Sequence, residues 1–61
     1  MTPTEAKELI QGIEIGDYAV IPAAGMRASG VVKKLKQACR EHGLGVYILE
    51  EGGSLTVTRR Y

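Results

Sequence analysis

The stretch "GVYILEEGGSLTVTRRY", Gly45–Tyr61, decides the fold. Two β-rich runs flank Gly52-Gly53, a strong signal for a tight hairpin. With those glycines as a two-residue loop, Glu51 faces Ser54, Leu49 faces Thr56, Ile48 faces Val57 and Tyr47 faces Thr58. Directly opposed residues share a sheet face. Val46, Ile48, Leu55 and Val57 then make one wholly aliphatic face, and Tyr47, Leu49, Thr56 and Thr58 make the other. A register slip of one residue would mix the two sets, so this clean sorting supports the pairing.

The aliphatic face needs a cover, and the segment before the hairpin supplies one. Over Gly30 to His42, Val31, Val32, Leu35, Ala38, Cys39 and His42 fall within about 120° of arc at roughly 100° per residue. Lys33, Lys36 and Arg40 fall together on the opposite side. Ser29 suits the N-cap. Gly43 suits a left-handed stop, with Leu44 folding back on the last turn. This is an amphipathic helix with a cationic outer stripe.

Further back, Tyr18-Ala19-Val20-Ile21 reads as a strand ending at Pro22. Thr2-Pro3-Thr4-Glu5 reads as a helix start, with a capping box between Thr2 and Glu5 and Pro3 at the first helical position. Ala6, Leu9, Ile10 and Ile13 recur at helical spacing, and Gly12 is a stop. The expected fold is α+β: a short helix over Pro3–Gln11, then β-α-β-β, with one long amphipathic helix on a three-stranded sheet. Residues 1–61 form one small domain. If the first two strands are parallel, their crossover is right-handed.

Composition bounds the rest. The chain has 61 residues, 44% hydrophobic and 25% charged, without Trp or Phe. Such a core is thin, and a homodimer would reinforce it. One cysteine excludes an internal disulfide, and no Cys/His spacing suits zinc, so neither metal nor cofactor is expected. Cys39 reads as a small buried residue. There is no signal-peptide pattern and no apolar run long enough for a membrane, so the expected setting is cytoplasmic. Net charge is +1, but residues 1–25 carry −3 and residues 26–61 carry +4. That asymmetry hints at a polyanionic partner, DNA or RNA.

The turn "IPAAGMRASG", Ile21–Gly30, joins strand to basic helix. Helix starts bind anions through unpaired N–H groups. Arg27, Ser29, Gly30, Lys33, Lys36 and Arg40 are therefore candidate phosphate contacts. The bland reading is a Gly-rich turn with an ordinary cap, since neither a Walker loop nor a dinucleotide fingerprint fits. Phosphate contacts position a protein without reading bases, so weak sequence specificity is expected.

The alternative interface is Tyr47, Leu49, Thr56 and Thr58, pointing away from the long helix. Three covers are open for it: the first helix, a second protomer or partner protein, or stacked nucleic-acid bases. The tail Arg59-Arg60-Tyr61 reads as a solvated strand end, and His42 as a packed residue at the helix end. No nucleophile–base pair or cleft-forming core is evident, so the expectation is a non-enzymatic accessory or regulatory protein. In this outline the chain resembles small bacterial or phage accessory proteins that bind nucleic acid or host proteins.

Overall fold

Gly52 and Gly53 adopt φ of 57° and 79°. Both central residues of the tight hairpin turn need positive φ, which only glycine takes without steric cost. The turn joins β2 (Val46–Glu51) to β3 (Ser54–Arg59), in the register expected: Glu51 opposite Ser54, Leu49 opposite Thr56, Ile48 opposite Val57, Tyr47 opposite Thr58. The computed structural model describes residues 2–22 and 28–61. Its other elements are α1 (Pro3–Gln11), β1 (Tyr18–Pro22) and α2 (Ala28–His42).

The sheet order is β1-β3-β2, antiparallel throughout. β1 and β2 therefore run in the same direction without touching. The last strand in sequence occupies the centre, and there Leu55 and Val57 are fully buried. The fold is the expected small α+β globule. Among the described residues, no helix is long and apolar enough to cross a membrane.

α1 begins with both halves of the capping box formed. The Glu5 N–H donates to Thr2 Oγ1 at 3.1 Å, and the Thr2 N–H donates to Glu5 Oε1 at 2.9 Å. The Thr2 backbone, and then its hydroxyl, hold the Glu5 carboxyl below its ordinary pKa. A carboxylate with a lowered folded-state pKa stabilises the fold above its unfolded value of 4.5, and that stabilisation is lost as pH falls through the folded value. Thermal unfolding of Glu5→Gln should therefore show less acid dependence below pH 4.5 than the parent. Thr2→Ala should cost about 1 kcal/mol at neutral pH.

α2 closes as its sequence suggests. Gly43 takes φ of 67°, and the Leu44 N–H donates to the Cys39 carbonyl at 3.0 Å, the six-to-one bond of a Schellman motif. Its start differs from expectation. The helix begins at Ala28, so Ser29 and Gly30 lie inside the first turn and Ser29 is not the N-cap. His42 is exposed rather than packed, because the last turn ends at solvent.

Both helices lie on one face of the sheet. Ala6, Ile10 and Ile13 meet Val31, Leu35 and Ala38 of α2 and Leu55 and Val57 of β3 in a single buried cluster. Leu9, Ala19, Ile21, Val32, Cys39, Val46 and Ile48 pack at its margin. α1 thus docks beside α2 and does not cover the Tyr47 face. One amphipathic helix is too narrow to hide a three-stranded sheet, and the apolar stripe of α1 completes the cover on the side where α2 already provides apolar contact.

Cys39 is half-buried, and burial pushes its thiol pKa above the ordinary value. The thiolate is the reactive form. Alkylation of the folded protein at neutral pH should be slower than that of the urea-unfolded chain, as read by mass spectrometry.

Candidate binding surfaces

The outer sheet face is built by strand alternation. Residues opposite one another in the register give rows across the three strands: Tyr18–Thr58–Tyr47, then Val20–Thr56–Leu49, then Pro22–Ser54–Glu51. Tyr18 is 62% exposed, Val20 56%, Tyr47 56% and Leu49 43%. Two tyrosines flank the central Thr58, and two aliphatic side chains flank Thr56. These two rows hold no charged residue. Arg60 continues the face at one end, where its N–H donates to the Gly45 carbonyl at 2.8 Å, and Glu51 ends it at the other.

The structure brings Tyr47, Leu49, Thr56 and Thr58 together on this face and adds Tyr18 and Val20 from β1. Sequence reasoning left those two unassigned. In "YAVI" every position is apolar or aromatic, so polarity does not mark which alternate set faces out.

The cationic candidates lie elsewhere. Lys33, Lys36 and Arg40 are exposed on α2, which covers the inner face of the sheet. Lys34 is half-buried. Ser29 and Gly30 sit in the first turn of the same helix, within the set of N–H groups that lack helical partners. Arg27 and Gly25 lie outside the described residues. The helix that carries the cationic stripe covers the inner face of the sheet, and Lys36 lines a groove with Tyr47 at the β2 edge.

The C-terminal tail is anchored, not loose. The Gly45 N–H donates to the Tyr61 carbonyl at 3.0 Å. Gly45 is buried, and a Cβ there would strike the Tyr61 ring. Arg59 turns inward instead of joining a basic tail. Its Nη1 donates to the Ile13 carbonyl at 2.9 Å and reaches the Gln11 carbonyl at 3.4 Å. α1 has no basic residue in its own last turn. Arg59 supplies that charge from β3, where the carbonyl end of the helix is negative.

The two sheet edges differ. On β1 the outward-pointing backbone positions are Tyr18, Val20 and Pro22, because Ala19 and Ile21 pair towards β3. The Tyr18 N–H donates to its neighbour Asp17 Oδ1 at 2.8 Å, and Pro22 has no N–H. Two of the three positions thus offer no donor to an incoming strand, a recognised way of protecting an edge. On β2 the outward positions are Val46, Ile48 and Glu50, and no hydrogen bond among the described residues engages their N–H or C=O groups. Beside that edge runs a groove of about 410 Å³ lined by Val32, Lys36, Val46, Tyr47, Ile48 and Glu50. Comparison with known proteins adds no relative: no protein-family model, curated protein or solved structure matches the chain.

Proposed function

We propose that this chain is a small protein-interaction module whose docking surface is the outer sheet face, centred on Tyr18, Val20, Tyr47 and Leu49. One observation carries the reading. Both helices pack on the same side of the sheet, so four large apolar or aromatic side chains stand exposed on the other. Contiguous apolar surface rimmed by polar residues marks interaction sites, and tyrosine is a frequent anchor of them. The partner class is a protein presenting an apolar patch. Bases would also stack on tyrosine, but a nucleic-acid platform needs cations along the same surface to meet phosphates. Here the two tyrosine-bearing rows carry no cation: Lys33 and Arg40 are exposed on α2, Lys36 reaches only the groove at the β2 edge, and Arg60 stands only at one end of the face.

Selection of binders from a displayed peptide library, followed by amide-shift mapping, tests this. Binders should perturb Tyr18, Val20, Tyr47 and Leu49. Tyr47→Ser should weaken them at least about tenfold, or roughly 1.4 kcal/mol, and added salt should leave the affinity unchanged or raise it. Binders that map to α2 and ignore Tyr47→Ser would refute the assignment.

The exposed cations of α2 support a second reading, weak and sequence-tolerant nucleic-acid binding through Lys33, Lys36 and Arg40. Its signature is salt dependence, because each phosphate contact releases counterions. Anisotropy titration with single- and double-stranded oligonucleotides should then show binding that falls steeply with salt and disappears in Lys33→Glu/Lys36→Glu. No binding at low salt would eliminate it.

A further inference from the structure

We infer that the free edge of β2 pairs antiparallel with the β2 edge of a second copy of this chain, joining two sheets into one of six strands. The inference rests on the open edge and its groove, and stands whether or not the outer face binds a partner protein.

The asymmetry of the edges is the first ground. β1 is closed to strand addition at Tyr18 and Pro22, whereas no hydrogen bond among the described residues engages the donors and acceptors of Val46, Ile48 and Glu50. An added strand satisfies such groups directly. The second ground is self-complementarity. With the two-fold axis at Ile48, each Val46 faces the other copy's Glu50 and the two Ile48 residues face each other. These are the outward-pointing positions, so the three pairs exchange about six backbone hydrogen bonds, two for each pair. In the same register Tyr47 faces Leu49 of the other copy on the outer face. Glu51 faces Gly45. No two carboxylates are directly opposed, which a shift placing Glu50 against Glu50 would bring about.

The third ground is charge. Lys36 and Glu50 are the charged residues lining the groove beside the edge. Pairing about Ile48 sends the incoming Glu50 to the Val46 position, into the groove that Lys36 lines. By symmetry each lysine then meets a carboxylate from the other copy. The pairing also joins the two outer faces across the Tyr47–Leu49 contacts, doubling the apolar surface on one side.

Sedimentation equilibrium and amide exchange across a concentration series test this with the unmodified chain. The expected mass rises with concentration from 6.6 kDa towards twice that value. Exchange at the Ile48 amide should slow at least about tenfold over the same range, and by more than at Leu49, whose N–H already points into the sheet. Glu50→Pro removes an edge donor without breaking a β2–β3 bond and should weaken association at least about tenfold. Lys36→Glu and Glu50→Lys should each weaken it, and the double exchange should restore it. Circular dichroism checks that each variant folds. A monomer at every concentration would overturn the inference. So would a dimer insensitive to Glu50→Pro but abolished by Tyr47→Ser, which would mean that the outer faces stack instead. Protection of Ile48 only on adding an extended apolar peptide would overturn the second copy as occupant.

Discussion

Ile10→Ala should leave a large share of the molecules unfolded at 37 °C. Ile10 is fully buried and sits where α1 meets α2 and the inner sheet face. Truncating such a residue to alanine removes apolar burial and leaves a cavity, at a cost of about 2–5 kcal/mol. A single core in a chain this short supplies only about 3–5 kcal/mol of net stability. The loss therefore approaches the whole. Ile15 is the control, since it is 66% exposed. Ile15→Ala should change stability by no more than about 0.5 kcal/mol. Urea titrations of the two variants, followed by circular dichroism, make the comparison. Equal, small effects would mean that α1 is not docked through Ile10.

Arg59→Ala should be the most damaging change to a charged residue. The guanidinium holds the Ile13 carbonyl at 2.9 Å and reaches towards that of Gln11. Hydrogen bonds to charged groups contribute about 1.5–3 kcal/mol, and the partial exposure of Arg59 places the effect near the lower end. In a domain of this size that corresponds to a fall in Tm of roughly 6–12 °C. Arg60→Ala, one residue along and exposed, should shift Tm little. Arg59→Lys should recover part of the loss, because it keeps the charge at the helix end but not the planar donor geometry. Equal effects at the two arginines would remove the capping role.

These two residues also mark where the sequence was legible and where it was not. Interactions spanning a few residues were readable. The Thr2–Glu5 capping box set the start of α1, Gly43 and Leu44 closed α2, and Gly52-Gly53 with the alternation around them fixed the hairpin register. Each is a local preference for a backbone conformation or a sheet face. Features depending on distant segments were not. That β3 lies between β1 and β2 is decided by which strand best buries Leu55 and Val57 on both sides. That α1 sits beside α2 is decided by competition among apolar surfaces. Arg59 reaches Ile13 across 46 positions, and nothing in "TRRY" separates it from Arg60.

The candidate site divides in the same way. Tyr47, Leu49, Thr56 and Thr58 follow from the hairpin register alone, whereas Tyr18 and Val20 join them only once β1 is placed against β3. The strand order also determines which edge stays open. Asp17 and Pro22 are ordinary turn residues in sequence and become edge protection only when β1 lies at the rim.

Both helices cover one face of the sheet and leave the other bare. Methyl and aromatic nuclear Overhauser contacts of α1, recorded at low protein concentration, test this arrangement most directly. Contacts are expected from the Ile10 and Ile13 methyls to side chains of the Val31, Leu35, Leu55 and Val57 cluster, and none to the rings of Tyr18 or Tyr47. Contacts from Leu9, Ile10 or Ile13 to the Tyr47 ring or the Leu49 methyls would place α1 over the outer face and contradict it.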